Sequence, residues 1–167
     1  AEGHTCRCWW RKKIGANAPD PHPAIEWIEG DLLHPNSHAA LVSGCDALVH
    51  APLYRMPGSG TFRGSEGDLI TFAETNLLGS LRLFEAALDV KDCRVVFVST
   101  CAVHEQILED RPLDENHPTT PRTHYGAHKA AIEQFIQSLG GSGHAICGLR
   151  PTGIYGLNTP PEKSKWF

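Results

Sequence analysis

Five short apolar runs constrain the fold of this chain more than any other feature of its sequence. In a strand that buries only one face, polar and apolar residues alternate, and these runs are too continuous for that pattern. We therefore predict strands that are covered on both faces, as in a parallel sheet. The predicted strands are residues 5–10, 25–28, 47–50, 94–99 and 145–149.

Two helical patterns separate the later runs. Between residues 70 and 88, apolar residues recur at steps of three and four, which predicts one apolar stripe on a helix of about six turns. A second helix follows the fourth strand, and we expect Gly140 and Gly141 to stop it. Its apolar stripe consists of Ile132, Phe135, Ile136 and Leu139.

The alternation of strands and helices predicts the fold class. The order strand, helix, strand, helix, strand is typical of α/β proteins with a doubly wound parallel sheet and right-handed crossovers. Ligands of such sheets bind at the carboxyl ends of the strands. The chain has 167 residues and no linker-like segment, so we expect one domain.

Composition favours a small-molecule partner. The chain has 15 Lys plus Arg against 19 Asp plus Glu, so no basic surface for nucleic acid or an anionic membrane is expected. No run approaches the roughly 18 apolar residues of a membrane helix, and no signal peptide is visible, so we expect a cytoplasmic protein. The 6 cysteines and 10 histidines show no ligand spacing, and no metal site is predicted.

Tyr125 and Lys129 form the sharpest candidate site. They open the second predicted helix four residues apart, so they share one face, which continues toward the sheet through Ile132 and Ile136. An ammonium one turn away stabilises a phenolate and makes proton transfer by the tyrosine practical. The spacing alone is common by chance, so its weight depends on its surroundings.

Those surroundings include a hydroxyl at the end of the fourth predicted strand. Thr100 directly follows that strand and could hydrogen-bond the substrate oxygen that the tyrosine protonates. The alternative is that Ser99 and Thr100 only satisfy backbone groups at the strand end.

Seven short motifs follow one another along the chain, each weak alone but specific in their order and spacing. They are GDL (30–32), DALVHA (46–51), NLLGS (76–80), VSTCAV (98–103), PLDENHP (112–118), YGAHK (125–129) and LRPTGIYG (149–156). On these motifs the chain resembles the extended short-chain dehydrogenases/reductases of the NAD-dependent epimerase/dehydratase type. That family includes sugar-nucleotide epimerases, dehydratases and related reductases.

The resemblance implies a Rossmann-like doubly wound parallel sheet and a role for several residues. Thr100 would hold the substrate oxygen and Tyr125 would be the general acid/base. Lys129 would bind the cofactor ribose and assist the tyrosine, and Asn76 would support the active site and the nicotinamide side. The other implied cofactor contacts are Asp31 and Leu32 at the adenine, His50 and Ala51 along the cofactor, and Pro151 to Ile154 at the nicotinamide end. Two alternatives stay open: Asp31 as a plain helix cap, and Asn76 as a solvated helix residue.

The residues after the first predicted strand bear on the choice of cofactor. In such folds an acid at this place binds the ribose hydroxyls of NAD, whereas an arginine accommodates the 2′-phosphate of NADP. Arg11 and Lys12 stand there, so the sequence leans to NADP over NAD. A solvated basic strand end is the alternative.

The family's first strand and glycine-rich turn are missing from this sequence. In the strand order 3-2-1-4-5-6 that strand is central, so its absence would leave two half-sheets with unpaired edges. Gly58 to Gly64 only superficially resembles a phosphate loop, because several residues separate it from its strand. We expect residues 1–167 to be a partial domain, truncated at both ends, largely without its substrate-binding region and inactive alone. A natural truncated pseudoenzyme is the alternative.

The sequence thus predicts an oxidoreductase, epimerase or dehydratase that moves a hydride between NAD or NADP and a carbinol or carbonyl carbon. A nucleotide sugar or related small molecule would be the substrate, and a homodimer is left open. The rival hypothesis is a non-catalytic dinucleotide-binding sensor or scaffold. Three departures from the family pattern, Pro52, His104 and His128, are expected to affect substrate choice more than activity.

Overall fold

Five parallel strands form the framework of the part of the chain that the structure describes. The computed structural model describes residues 3–11, 21–55 and 68–154. Lys12, the 58–64 segment and the end of the last motif, residues 155 and 156, lie outside the described residues. The strands are β1 (Cys6–Trp10), β2 (Ile25–Glu29), β3 (Ala47–His50), β4 (Arg94–Val98) and β5 (Ile146–Leu149). Each agrees with the predicted strand to within one residue at either end.

These strands divide into two sheets. β1 pairs with β2, with Cys6 opposite Ile25, and β4 lies between β3 and β5 in a three-stranded sheet. The predicted α/β fold with parallel strands is confirmed, and the described strands form two separate sheets.

One long helical segment precedes β4, as the 70–88 pattern predicts. It consists of α2 (Leu69–Ala73), a π-helical turn (Glu74–Leu78) and α3 (Gly79–Leu88); a shorter helix, α1 (His38–Val42), lies before β3. Asp68 caps the long segment, because its carboxylate accepts hydrogen bonds from the backbone N–H groups of Ile70 and Thr71. The π turn was not predicted, since apolar spacing does not reveal where a helix widens; such turns often occur at functional sites.

The helix after β4, α4 (His124–Gly141), ends later than predicted. Gly140 and Gly141 do not stop it but form its last residues. The chain turns at Gly143, whose φ of +93° is readily adopted only by glycine.

The core lies between the three-stranded sheet and the helices α3 and α4. Phe84 of α3 and Phe97 of β4 pack edge to face, with ring centroids 5.9 Å apart. Trp9 and Ile28, from the other sheet, pack against the same core. The largest buried apolar residues of this core include Leu83, Phe84, Val95, Phe97 and Ile132.

Two predictions about burial were wrong. The strands are not covered on both faces: Val49 of β3 and Leu149 of β5 are exposed, because the described helices pack against the opposite face of their sheet. Phe135, expected in the apolar stripe of α4, is 49% exposed. The buried face of that helix is centred instead on Lys129, Ile132, Glu133 and Ile136, so Phe135 points away from the sheet.

Two phenylalanines provide a matched test of this core. Phe97 is 0% exposed, so we expect Phe97→Ala to lower the free energy of unfolding by about 3 to 5 kcal/mol through lost burial and a new cavity. Phe135→Ala should change it by less than about 0.5 kcal/mol. Denaturant unfolding measures both, and equal effects would contradict this orientation of α4.

Candidate active site

The candidate site lies where β4 and β5 end and α4 begins. Thr100 follows β4, and its hydroxyl oxygen accepts a hydrogen bond of 3.2 Å from the backbone N–H of Ala102. It thereby caps a 3₁₀ turn, Cys101–His104. The capping role that we considered as an alternative is therefore present. It uses one acceptor position of the hydroxyl and leaves its proton able to donate.

Gly126 brings the start of α4 against that turn. A Cβ atom at this position would lie 2.7 Å from the carbonyl oxygen of Ala102 and 2.9 Å from the Cβ of Pro121, so only glycine fits. The Thr123 hydroxyl caps the helix by accepting from the Gly126 N–H. As a result, the helical turn that carries Tyr125 packs directly on the turn that Thr100 caps.

Lys129 is buried at the end of β4. Its ammonium donates a hydrogen bond of 2.7 Å to the carbonyl oxygen of Val98 and lies 4.4 Å from the centroid of the Phe97 ring. Burial lowers the pKa of this lysine from 10.5 to about 8, because the ammonium loses water; the charge of Glu133 opposes the shift. The expectation that Lys129 points inward at a strand end is met.

Asn76 lies in the π turn and is 2% exposed, so it is not a solvated helix residue. Its side-chain oxygen accepts from the backbone N–H of Tyr54 at 2.8 Å, and its side-chain nitrogen donates to the carbonyl oxygen of Tyr54 at 3.2 Å. Asn76 therefore fixes the segment that follows β3.

The residues expected near the adenine differ in their placement. The Asp31 carboxylate accepts from the backbone N–H of Leu33 at 3.0 Å, so it stabilises a turn and does not cap an α-helix. The side chain of Leu32 is buried in the core, and Arg11 is exposed. Their contacts with a cofactor stay predictions.

The residues expected to contact the rest of the cofactor also differ in burial. The His50 ring packs between Phe84 and Phe97, and burial, aided by the charge of Lys129, lowers its pKa to about 3. Its imidazole thus lies inside the core. Ala51 is exposed, as is Ile154. The carbonyl oxygen of Pro151 accepts from the backbone N–H of Cys101, which joins the Pro151 segment to the Thr100 turn.

His128 occupies the first turns of α4 on the side of α2. Its ring packs edge-on against Phe72, with centroids 5.1 Å apart, and lies 5.8 Å from the Tyr125 ring. Burial, with the charge of Lys129, lowers the pKa of His128 to about 4, so its imidazole is neutral at physiological pH.

Glu133 was not among the predicted residues, although it lies next to them. Its carboxylate is buried and binds Ser99 and Arg150, the residues that follow β4 and β5. The sequence did contain a signal: Glu133 stands four residues after Lys129, on the face that carries the candidate pair.

The described residues contain neither a cluster of metal ligands nor a membrane-spanning helix. No group of three or more His, Cys, Asp or Glu side chains among them could hold a metal ion. No helix in that part of the chain is long and apolar enough to cross a membrane.

Comparison with known proteins identifies the family. The model of the NAD dependent epimerase/dehydratase family matches residues 1–166, so the chain belongs to this family and the predicted resemblance is confirmed. It is 33% identical over 153 residues to dTDP-glucose 4,6-dehydratase of Streptomyces antibioticus, covering 88% of this chain and 42% of that enzyme.

A second curated relative and one solved structure complete the comparison. A 4-hydroxy-2-methyl-3-oxo-4-farnesyl-3,4-dihydroquinoline-1-oxide ketoreductase of Stigmatella aurantiaca is 34% identical, covering 78% of this chain and 37% of that protein. UDP-glucose 4-epimerase of Thermus thermophilus, solved with NAD, superposes with a TM-score of 0.74 at 24% identity, over 93% of this chain and 49% of that one. The chain spans less than half the length of the curated relatives it matches.

The buried ammonium predicts a pH dependence of stability. Unfolded Lys129 keeps its proton up to a pH of about 10.5, whereas folded Lys129 loses it near 8, so its burial penalty disappears as the pH rises between these values. Relative to Lys129→Met, the wild type should gain about 3 kcal/mol of unfolding free energy over this window. Urea unfolding at several pH values measures this difference. For the exposed Lys91, the difference in unfolding free energy between the wild type and Lys91→Met should not change with pH.

Proposed function

We propose that the protein carrying this chain is an NAD(P)-dependent epimerase, dehydratase or reductase that acts on a carbinol or carbonyl carbon of a nucleotide sugar or related small molecule. One observation supports this most. The ammonium of Lys129 is held at the end of β4, and the turn of α4 that carries Tyr125 packs against the turn that Thr100 caps.

The relatives support this substrate class. They include dTDP-glucose 4,6-dehydratases and UDP-glucose 4-epimerases, whose names specify nucleotide sugars. A ketoreductase of a quinoline compound and 3 beta-hydroxysteroid dehydrogenases are also among them, so family membership alone does not choose the substrate.

In the proposed reaction each of three side chains has one task. The Thr100 hydroxyl donates a hydrogen bond to the substrate oxygen and holds it near Tyr125. The Tyr125 hydroxyl gives or takes the proton of that oxygen. The Lys129 ammonium, one turn along α4, stabilises the phenolate form of the tyrosine.

Two side chains support a nicotinamide dinucleotide as the cofactor. An ammonium has three donors, and among the described residues Lys129 uses one of them on a protein acceptor, the Val98 carbonyl, so the others could bind ribose hydroxyls. Arg11, exposed just after β1, could bind a 2′-phosphate. When bound, the nicotinamide would supply or accept the hydride. Solved relatives hold NAD or NADPH.

A non-catalytic dinucleotide sensor is the weaker hypothesis. Such a module would have no use for a proton-transfer group, yet this chain keeps both Tyr125 and the buried Lys129.

Tyr125→Phe tests the catalytic proposal. The substitution removes the acid/base hydroxyl and keeps the ring, so kcat should fall about 10²- to 10⁴-fold on any nucleotide sugar that the wild type converts. Dinucleotide affinity should change little. Product formation over a nucleotide-sugar panel measures the loss, with Tyr54→Phe as control, because Tyr54 contacts Asn76 through its backbone. Unchanged turnover in Tyr125→Phe would rule out the proposed role.

Arg11→Ala tests the preference for NADP. An exposed guanidinium beside a 2′-phosphate contributes one favourable charge contact, so the substitution should weaken NADP binding about tenfold and leave NAD binding unchanged. Calorimetric titration with each dinucleotide measures this. Arg94 is an exposed arginine at the first residue of β4, at the end away from the carboxyl ends of the strands. As the control, Arg94→Ala removes the same charge and should alter neither affinity.

A further inference from the structure

The carboxylate of Glu133 connects two strand ends to one helix. It lies one turn after Lys129 on α4 and is 5% exposed. One carboxylate oxygen accepts a hydrogen bond from the Ser99 hydroxyl. The other accepts two hydrogen bonds from the guanidinium of Arg150, at 3.0 and 2.8 Å.

The two partners occupy the positions that matter for the proposed site. Ser99 immediately precedes Thr100, and Arg150 immediately precedes Pro151. The backbones of these segments are also paired beyond the strands, with Ser99 N–H donating to Leu149 and Cys101 N–H to Pro151. A displacement at either partner would therefore move the Thr100 turn relative to α4.

Arg150 extends the connection to the segment before α4. Its guanidinium also donates to the carbonyl oxygen of Glu115 and lies 3.2 Å from Nε2 of His104. Nδ1 of His104 faces the carbonyl oxygen of Pro118, which can only accept, so Nδ1 carries the proton and Nε2 accepts from Arg150. The segment 105–122 is thus held by the same arginine.

Stability alone is a poor explanation for this arrangement. Burying a carboxylate and a guanidinium costs hydration energy that their attraction only roughly offsets, and apolar residues of similar volume often serve stability as well or better. A hydrogen-bonded ion pair differs from an apolar contact in that it fixes direction and distance.

We propose that Glu133 is a positioning residue of the active site. It holds the Thr100 turn and the Pro151 segment at a fixed place relative to the helix that carries Tyr125 and Lys129. This role rests on the proposed function, and Glu133 itself contacts no reacting atom.

Two variants of the full protein test this role, because either alone could be misleading. Glu133→Gln removes the charge and keeps the shape, and Ser99→Ala removes one partner with little change of volume. In both, kcat should fall about 10- to 100-fold with KM changed less than about threefold, since a small misplacement of reacting groups affects the transition state most. Glu85→Gln, an exposed glutamate of α3, removes the same charge and should leave both constants unchanged.

Amide hydrogen exchange supplies the readout that does not depend on turnover. The N–H groups of Cys101 and Ala102 should exchange several-fold faster in both variants, because they bond to the segment that Glu133 holds. Val95 and Phe97, in the middle of β4, should keep their wild-type rates.

The outcomes separate the two proposals. Uniformly faster exchange, with kcat no lower than in Glu85→Gln, would make Glu133 a structural residue only and overturn the inference. A second outcome is that exchange becomes faster only at Cys101 and Ala102 while the wild-type protein converts no substrate. That result would support the contact of Glu133 with the two strand ends and count against the proposed function.

Discussion

The buried ammonium of Lys129 is the interaction on which the arrangement of the site depends. Removing its hydration is costly, as the lowered pKa near 8 records, and the Val98 carbonyl together with the charge of Glu133 offsets part of that cost. The hydrogen bond from Lys129 to the Val98 carbonyl joins this face of α4 to the end of β4, and Ile132 and Ile136 lie buried on the same face. That orientation places Ile132 in the core and leaves Phe135 in solvent.

Close packing at Gly126 is a second constraint on the position of α4. Lys129 joins α4 to the end of β4, and the missing side chain at Gly126 lets the helix approach the turn after β4. Asn76 performs a comparable task on the other side, since its buried amide binds the backbone of Tyr54 and fixes the segment after β3. Polar contacts inside the molecule, and not apolar contacts alone, therefore decide which groups face each other at the strand ends.

Much of the fold could be predicted because its signals are local. Continuous apolar runs located the strands to within a residue, and the helix before β4 followed from its apolar spacing. The errors have a common cause. Phe135 matched the helical period, but the period cannot say that Lys129 and Glu133 would share the buried face. Likewise, the continuous run of β3 predicted two covered faces, although the described helices pack on only one.

The candidate site, too, was predictable from the sequence only in part. The order of its motifs identified the family, and the spacing of Tyr125 and Lys129 placed both on one helix face, because helix geometry fixes neighbours four residues apart. Only the tertiary structure decided that Glu133 lies between Ser99 and Arg150, or that His50 turns into the core. Those partners are 34 and 17 residues from Glu133 along the chain, so their meeting depends on strand pairing and helix packing, which no local pattern encodes.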